Sequence, residues 1–375
     1  MLEITHKPYR ESTLLSLLFL MYMYARFGIY WGYSEIFVGC LMGVVGFSLI
    51  YSLYISKIQK GLQLLIVVVA LIVIVFMCSL ASVFSLGLRV GASFYYSVLL
   101  FSNFFLAYIL AKKTISYRIT SLYLISISFW CLYLMCHRVN PNDVFSHSSR
   151  NTFSILFLEA AVLLYIILIQ ERCFKKNSLG KYPLWPAAAA FLGSVWASGR
   201  SGIISTGFLL LGVFFVNFLE SKKKIRYFIM IFALLAFILY LFTNWQKEIF
   251  DFVIWRFKTE GLTEPHRVEI AMYYLEKIKE SPVRLFFGYD VHFDPYLATR
   301  WNANLHNSLL KLHSILGIMA VVLSFFIIKG IFDKGKKCVL LWFVGGAMLL
   351  RALTDTPFLL GPTDFLFFYF FFHQK

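Results

Sequence analysis

The chain has 375 residues, of which 60% are hydrophobic, 19% aromatic and only 14% charged. A soluble domain carries roughly 45–50% apolar residues, so this composition predicts an all-α polytopic membrane protein. The formal charge of +16 does not indicate nucleic acid, because the lysines sit in short clusters between apolar runs and not on one face of a folded domain. Cys40, Cys78, Cys131, Cys136, Cys173 and Cys338 are scattered, with no pair at metal-ligand or redox spacing, and read as small apolar fillers.

With about 20 apolar residues per crossing, twelve transmembrane helices are predicted, near 12–31, 35–55, 62–82, 93–111, 119–137, 153–171, 183–198, 202–220, 226–243, 308–329, 337–353 and 357–372. The polar start, Met1 to Glu11, precedes an apolar run too long for a cleaved signal peptide, so the first helix is expected to stay. Residues 1–243 thus hold nine crossings, 244–307 form one large loop, and 308–375 hold three more. Lysine clusters fall in the even connections: Lys57 and Lys60; Lys112 and Lys113; Lys175, Lys176 and Lys181; Lys222 to Lys224; Lys334, Lys336 and Lys337. Lysine-rich connections stay on the cytoplasmic side, which predicts cytoplasmic termini and an outward-facing 244–307 loop. Arg138, Arg150, Arg200, His306 and Arg351 then fall on the same outward side as that loop.

The loop contains two amphipathic candidates. Ile249, Phe250, Val253, Ile254 and Phe257 recur at helical spacing in the first. In the second, Val268, Ala271, Met272, Leu275 and Ile278 form one stripe, opposite Glu269, Tyr273, Glu276 and Glu280. Pro265 suits the first position of that helix and Ser281-Pro282 is expected to end it. Such a loop can lie with its apolar side on a membrane surface and wall a site.

Ser198-Gly199-Arg200-Ser201-Gly202 is a small-residue break around one arginine at the start of the eighth crossing. Unpaired N–H groups at a helix start and a planar guanidinium together make an anion cradle; a tight hairpin with a snorkelling arginine is the plain alternative. Arg267, two residues into the second loop helix, either turns toward that site or meets a lipid headgroup. His306, between amide neighbours Asn304 and Asn307, has the equipment of a general base, and His313 follows on the same predicted helix face, about 10 Å deeper. Glu159, Lys311 and Asp364 are expensive in lipid and are expected to be paired. Asp290 and Asp294 make a poor divalent-cation site, and no metal is expected. Arginines and a histidine at an outward membrane surface suit departure of a lipid-linked diphosphate, with a base taking a proton from an attacking hydroxyl.

Ser198-Gly199-Arg200-Ser201-Gly202, Arg267 with a helix running to Pro282 and Gly288, and His306-Asn307-Ser308-Leu309 with Gly317 beyond together resemble the bacterial O-antigen polymerase and O-antigen ligase family. The twelve-crossing layout and the large loop match it too. The chain departs from the family pattern at Ala271-Met272, where an aromatic residue is usual, and at Gly288-Tyr289-Asp290, where Gly-x-Gly is usual. The resemblance implies a fold of the type C glycosyltransferase class in the bacterial inner membrane, moving a glycan from undecaprenyl diphosphate to a sugar hydroxyl at the periplasmic face. It implies no nucleotide sugar, metal or other cofactor. Arg200 and Arg267 would hold the diphosphate and His306 would be the base, with Asn307, Arg351, Arg150 and Tyr274 supporting. Implied partners are undecaprenyl-diphosphate-linked oligosaccharides, membrane lipid and a chain-length regulator protein. A polymerase joins such units to one another; a ligase passes the glycan to lipid A core. The lean Phe- and Tyr-rich chain is more similar to the polymerases. A non-enzymatic lipid-linked oligosaccharide flippase is the rival of another class, for which a central cavity lined with charge from many helices would be expected, and no long amphipathic loop.

Overall fold

The computed structural model describes residues 13–31, 90–145, 150–174, 182–221, 247–259, 265–355 and 363–372, with isolated positions among 43–51, among 225–244 and at 361. The crossings predicted at 35–55, 62–82 and 226–243 lie wholly or mostly outside the described residues, as do Lys57, Lys60 and Lys222 to Lys224. Among the described residues every regular element is helical. In chain order these are α1 (Thr13–Trp31), α2 (Val90–Lys112), α3 (Tyr117–Cys136), α4 (Asn151–Phe174), α5 (Trp185–Trp196), α6 (Arg200–Glu220), α7 (Lys247–Thr259), α8 (Pro265–Lys279), α9 (Pro282–Phe287), α10 (Pro295–Trp301), α11 (Ser308–Leu316), α12 (Ile318–Lys337), α13 (Val339–Thr354) and α14 (Phe365–Phe368).

Among the described residues, four helices are long and apolar enough to cross a membrane: Thr13–Tyr30, Tyr117–Cys136, Asn151–Arg172 and Arg200–Glu220. Helix α4 is the axis of the bundle, with 94% of its apolar window buried against 44–50% in the other three. It packs against α3, α5 and α6, while α13 runs along α6. The outer helices keep large apolar side chains exposed, including Leu14 and Met21 on α1, Phe129 on α3 and Leu211 on α6. Apolar side chains at such exposure fit contact with lipid. This is a membrane protein built of helices.

Two predicted crossings take a different form. The apolar run at 308–329 is broken at Gly317, whose φ of +56° and ψ of −138° separate α11 from α12. The described part of the 357–372 run holds only α14 and a 3-10 turn at Tyr369–Phe371, and Phe365 to Phe370 are buried in the main core, not arrayed at a membrane interface. Buried polar groups pin this segment. Asn103 on α2 donates to the Gly361 carbonyl at 2.8 Å and accepts from Phe365 N at 2.9 Å. Lys334 donates to the Tyr369 carbonyl at 2.6 Å. Arg26 of α1 pairs with Glu159 of α4 at 2.7 Å, Thr363 donates to the same carboxylate oxygen at 2.6 Å, and Arg26 also donates to Thr363 Oγ1. Glu159 thus has the partner that a buried carboxylate in an apolar bundle requires.

The region between α7 and α11 carries a second, smaller core. Ile270, Tyr274 and Ile278, at four-residue spacing on α8, close on Tyr289, Val291, Leu297 and Leu305. Its polar centre is Asp294, which caps α10 by accepting from Leu297 N at 2.8 Å and also accepts from Tyr289 Oη at 2.6 Å and Tyr273 Oη at 3.1 Å. Of the expected stripe of Val268, Ala271, Met272, Leu275 and Ile278, Ile278 joins this core and Leu275 packs against it, while Val268 and Met272 are both more than half exposed. Ser281 and Pro282 end α8 as expected and also start α9, Ser281 Oγ accepting from Val283 N at 3.2 Å.

Candidate functional site

The site is assembled on the C-terminal end of α13. A helix ends with carbonyls that have no partner within the helix, and here other segments supply the donors. Asn307 Nδ2 donates to Leu353 O at 3.1 Å, Arg267 Nη1 donates to Thr354 O, and Ser308 Oγ donates to Asp355 O at 2.6 Å. One helix end thereby fixes α8, the 302–307 turn and the start of α11 together. One turn earlier, Arg351 is fully buried. Its guanidinium reaches Ser201 Oγ on α6, Ser154 Oγ and Asn151 O on α4 (both 3.3 Å), and the Asp355 carboxylate at 3.0 Å.

Helices α4 and α6 begin side by side at this point because their contact carries no Cβ on the α6 side. A Cβ on Gly199 would stand 2.8 Å from Asn151 Oδ1, and one on Gly202 would stand 2.5 Å from Ser154 Oγ. Gly199 is the extended residue before α6, and Ser198 ahead of it has φ of +53°. The predicted small-residue break is thus a helix start at Arg200, set against the start of α4.

These elements enclose a cavity of about 320 Å³. Arg150, Asn151, Arg200, Ser201, Arg267, His306 and Asn307 line its polar side; Ile204, Val268, Ala271, Met272 and Leu353 line an apolar wall. Three arginines, a histidine and the first turns of two helices face it, and no carboxylate is among the lining residues. The local field favours an anion.

Of the residues singled out in the sequence, Arg150, Arg200, Arg267, His306 and Asn307 come together here. Arg351 and Tyr274 do not line the cavity. Arg351 lies beneath it and ties the two helix starts to α13. Tyr274 is buried in the loop core, its pKa pushed up by that burial; its hydroxyl meets His313 Nδ1 at 2.8 Å, while His313 Nε2 lies 3.1 Å from the Leu285 carbonyl. A carbonyl only accepts, so Nε2 carries the proton and Nδ1 accepts from Tyr274. His313 therefore ties α8 and α9 to α11 and does not share the cavity with His306.

His306 sits in a turn of unusual backbone. Asn302, Ala303 and His306 have φ of +49°, +56° and +48°. The turn is held by Ala303 N to Leu297 O at 2.9 Å, Asn304 N to Trp301 O at 2.9 Å, and His306 N to Asn304 Oδ1 at 3.0 Å. Non-glycine residues in the left-handed region gather where surrounding contacts over-determine the chain, often at functional sites. The Asn307 carboxamide, expected to orient His306, is committed elsewhere: Oδ1 caps α11 by accepting from Leu309 N (2.9 Å) and Leu310 N (3.1 Å), while Nδ2 holds Leu353. It places His306 through the backbone.

Sequence reasoning missed Asn151, Thr354 and Asp355. The Arg351 to Asp355 spacing of four residues was the signal available for the last of these. Compared with protein-family models, with curated proteins and with solved structures, the chain matches none of them.

Proposed function

We propose that the chain is a glycosyltransferase of the inner membrane that joins undecaprenyl-diphosphate-linked oligosaccharides at the periplasmic face, as an O-antigen polymerase. The observation that carries this reading is the carboxylate-free cavity in which Arg150, Arg200 and Arg267 meet His306 beside an apolar wall. A lipid-linked diphosphate has the same two-part chemistry. Its two phosphates suit guanidinium forks and helix starts, and its first isoprene units suit Ile204, Val268, Met272 and Leu353.

In the proposed reaction the acceptor sugar hydroxyl attacks the anomeric carbon of the donor. The bond from that carbon to the diphosphate oxygen breaks, and its electron pair leaves with undecaprenyl diphosphate, stabilised by Arg200 and Arg267. The hydroxyl proton passes to the His306 imidazole, a transfer that contributes about 10²–10⁴-fold when the base is well positioned. A ligase would use the same leaving group with lipid A core as acceptor; the preference for polymerase rests on the sequence resemblance.

The test is a transfer assay with purified protein and undecaprenyl-linked oligosaccharide, run in chelator. Wild-type protein is expected to extend the glycan, and His306→Ala to lose transfer while keeping its expression level and donor binding. Near-normal transfer by His306→Ala would remove the base assignment. A wild-type protein that forms no glycosidic bond but moves the lipid-linked sugar across the bilayer would favour the flippase.

A further inference from the structure

Helix α9 is the least buried element of the loop region: none of its six residues is buried, and Val283, Leu285, Phe286 and Phe287 are 41–52% exposed. Its single charged residue faces away from that apolar surface. Arg284 donates to the Glu280 carboxylate and to Lys277 O (3.3 Å), and its guanidinium lies 4.7 Å from the Tyr289 ring centre. The charge is folded back onto the loop while four large apolar side chains point outward. Water alone would not favour that sorting.

The helix is locked at one height on the bundle. Gly288, with φ of +90°, has the backbone of α11 so close that a Cβ would stand 2.6 Å from His313 O and 2.8 Å from Ser314 O. Gly317 meets α9 in return, with Phe287 C 2.7 Å from its Cβ position and Phe286 O nearer still. From Gly317, α12 runs for 20 residues; Ile318 to Ile328 carry no charge, and Lys329, Asp333, Lys334, Lys336 and Lys337 follow. The uncharged stretch is about 16 Å long, roughly half the thickness of a bilayer's hydrocarbon core. Val321, Phe325 and Phe332 along α12 are more than half exposed, as lipid-facing residues are. Gly317 therefore lies at the end of α12 away from its lysines, beside the uncharged stretch, and α9 is pressed against it there.

We infer that α9 is an interfacial membrane anchor, with Phe286 and Phe287 set into the acyl boundary beside α12. Its occupant is the bilayer, because the exposed face of α9 continues the exposed apolar face of α12. The anchor is also linked to the cavity. His313 on α11 holds the Leu285 carbonyl of α9, and the cap of the same helix, Asn307, directly follows His306. The inference does not depend on the reaction proposed above.

Nitroxide labels at Phe286→Cys, Phe325→Cys and Glu276→Cys, each in a cysteine-free background in phosphatidylethanolamine and phosphatidylglycerol vesicles, test it by accessibility to oxygen and to a water-soluble nickel chelate. Positions 286 and 325 are expected to favour oxygen, and 276, exposed on α8, to favour nickel. A label at 286 that behaves like 276, or that neither reagent reaches, overturns the anchor. Unmodified protein provides the second reading. A photoactivatable lipid with its diazirine near the headgroup should label the 282–287 segment, and labelling of α12 with none on that segment would also overturn it.

Discussion

Arg351→Ala tests the framework beneath the cavity. The wild-type guanidinium serves four acceptors on three helices, one of them the Asp355 carboxylate, which is 13% exposed. Removing one partner of a buried pair leaves the other charge uncompensated, at a cost of about 3–5 kcal/mol. For a chain of this size that corresponds to a fall of about 4–6 °C in the thermal midpoint. Arg351→Lys keeps the charge, but a point charge cannot reach Ser201, Ser154 and Asp355 at once, so it should fall between alanine and wild type. Adding Asp355→Asn to Arg351→Ala should recover part of the loss by removing the stranded charge, with a coupling of roughly 1 kcal/mol or more. The assay is thermal unfolding in detergent, followed with a thiol-reactive dye that reports exposure of the buried Cys131. If Arg351→Ala stays within about 2 °C of wild type, Arg351 does not hold the helix starts together and the reasoning fails.

Arg200→Ala and Arg267→Ala are each expected to slow transfer by about 10²–10³-fold, as loss of a donor to a leaving group does, with lysine recovering only part; initial rates matching wild type would disprove the clamp. Asp294 is expected to make the loop core acid-sensitive. Burial pushes its carboxyl up, but hydrogen bonds from Tyr289, Leu297 N–H and Tyr273 outweigh burial and hold it below the ordinary value. A carboxyl lowered by folding adds stability that is complete above the unfolded value of about 3.9 and is lost as pH falls through the folded one. Proteolysis of the 265–307 region should therefore accelerate below about pH 4 in wild type, and Asp294→Asn, already weakened, should lack that dependence. Gly317→Ala should lower the thermal midpoint by several degrees, because its φ of +56° disfavours a side chain and the new Cβ meets α9 backbone. Gly207→Ala, in a helix with only Phe191 nearby at 3.3 Å, should be near neutral; equal midpoints for the two would refute the interlock.

Local signals carried well into the structure. The first helix, expected at 12–31, is Thr13–Trp31; Pro265 opens α8; and the small-residue break ends in a helix start at Arg200. Each rests on chemistry that neighbours in sequence decide. The misses depended on distant partners. The apolar run at 308–329 marks its break only by the single Gly317, which a helix interior tolerates and which the backbone of α9 meets at close range. The face of α8 that closes on Val291, Leu297 and Leu305 was not legible, because none of those residues adjoins it in sequence. Arg351 looked like a connection residue at an outward surface, and only the meeting of α4, α6 and α13 encloses it. The five cavity residues that the sequence did bring forward share a simple property: each stands at or beside a helix start.

The Arg26, Glu159 and Thr363 cluster bears on how the chain is made. Arg26 and Thr363 are 337 residues apart, and a ribosome adds roughly 5–20 residues per second. For about 20–70 s at that pace, the first helix waits in the bilayer without the hydroxyl that completes its charged centre. The ion pair itself can form once α4 is inserted, yet Thr363, which closes over it, is made 204 residues after Glu159. Closure of this cluster therefore waits on a residue made long after the two helices it joins, and a ribosome that stalls before Thr363 leaves a charged seam open to membrane quality control.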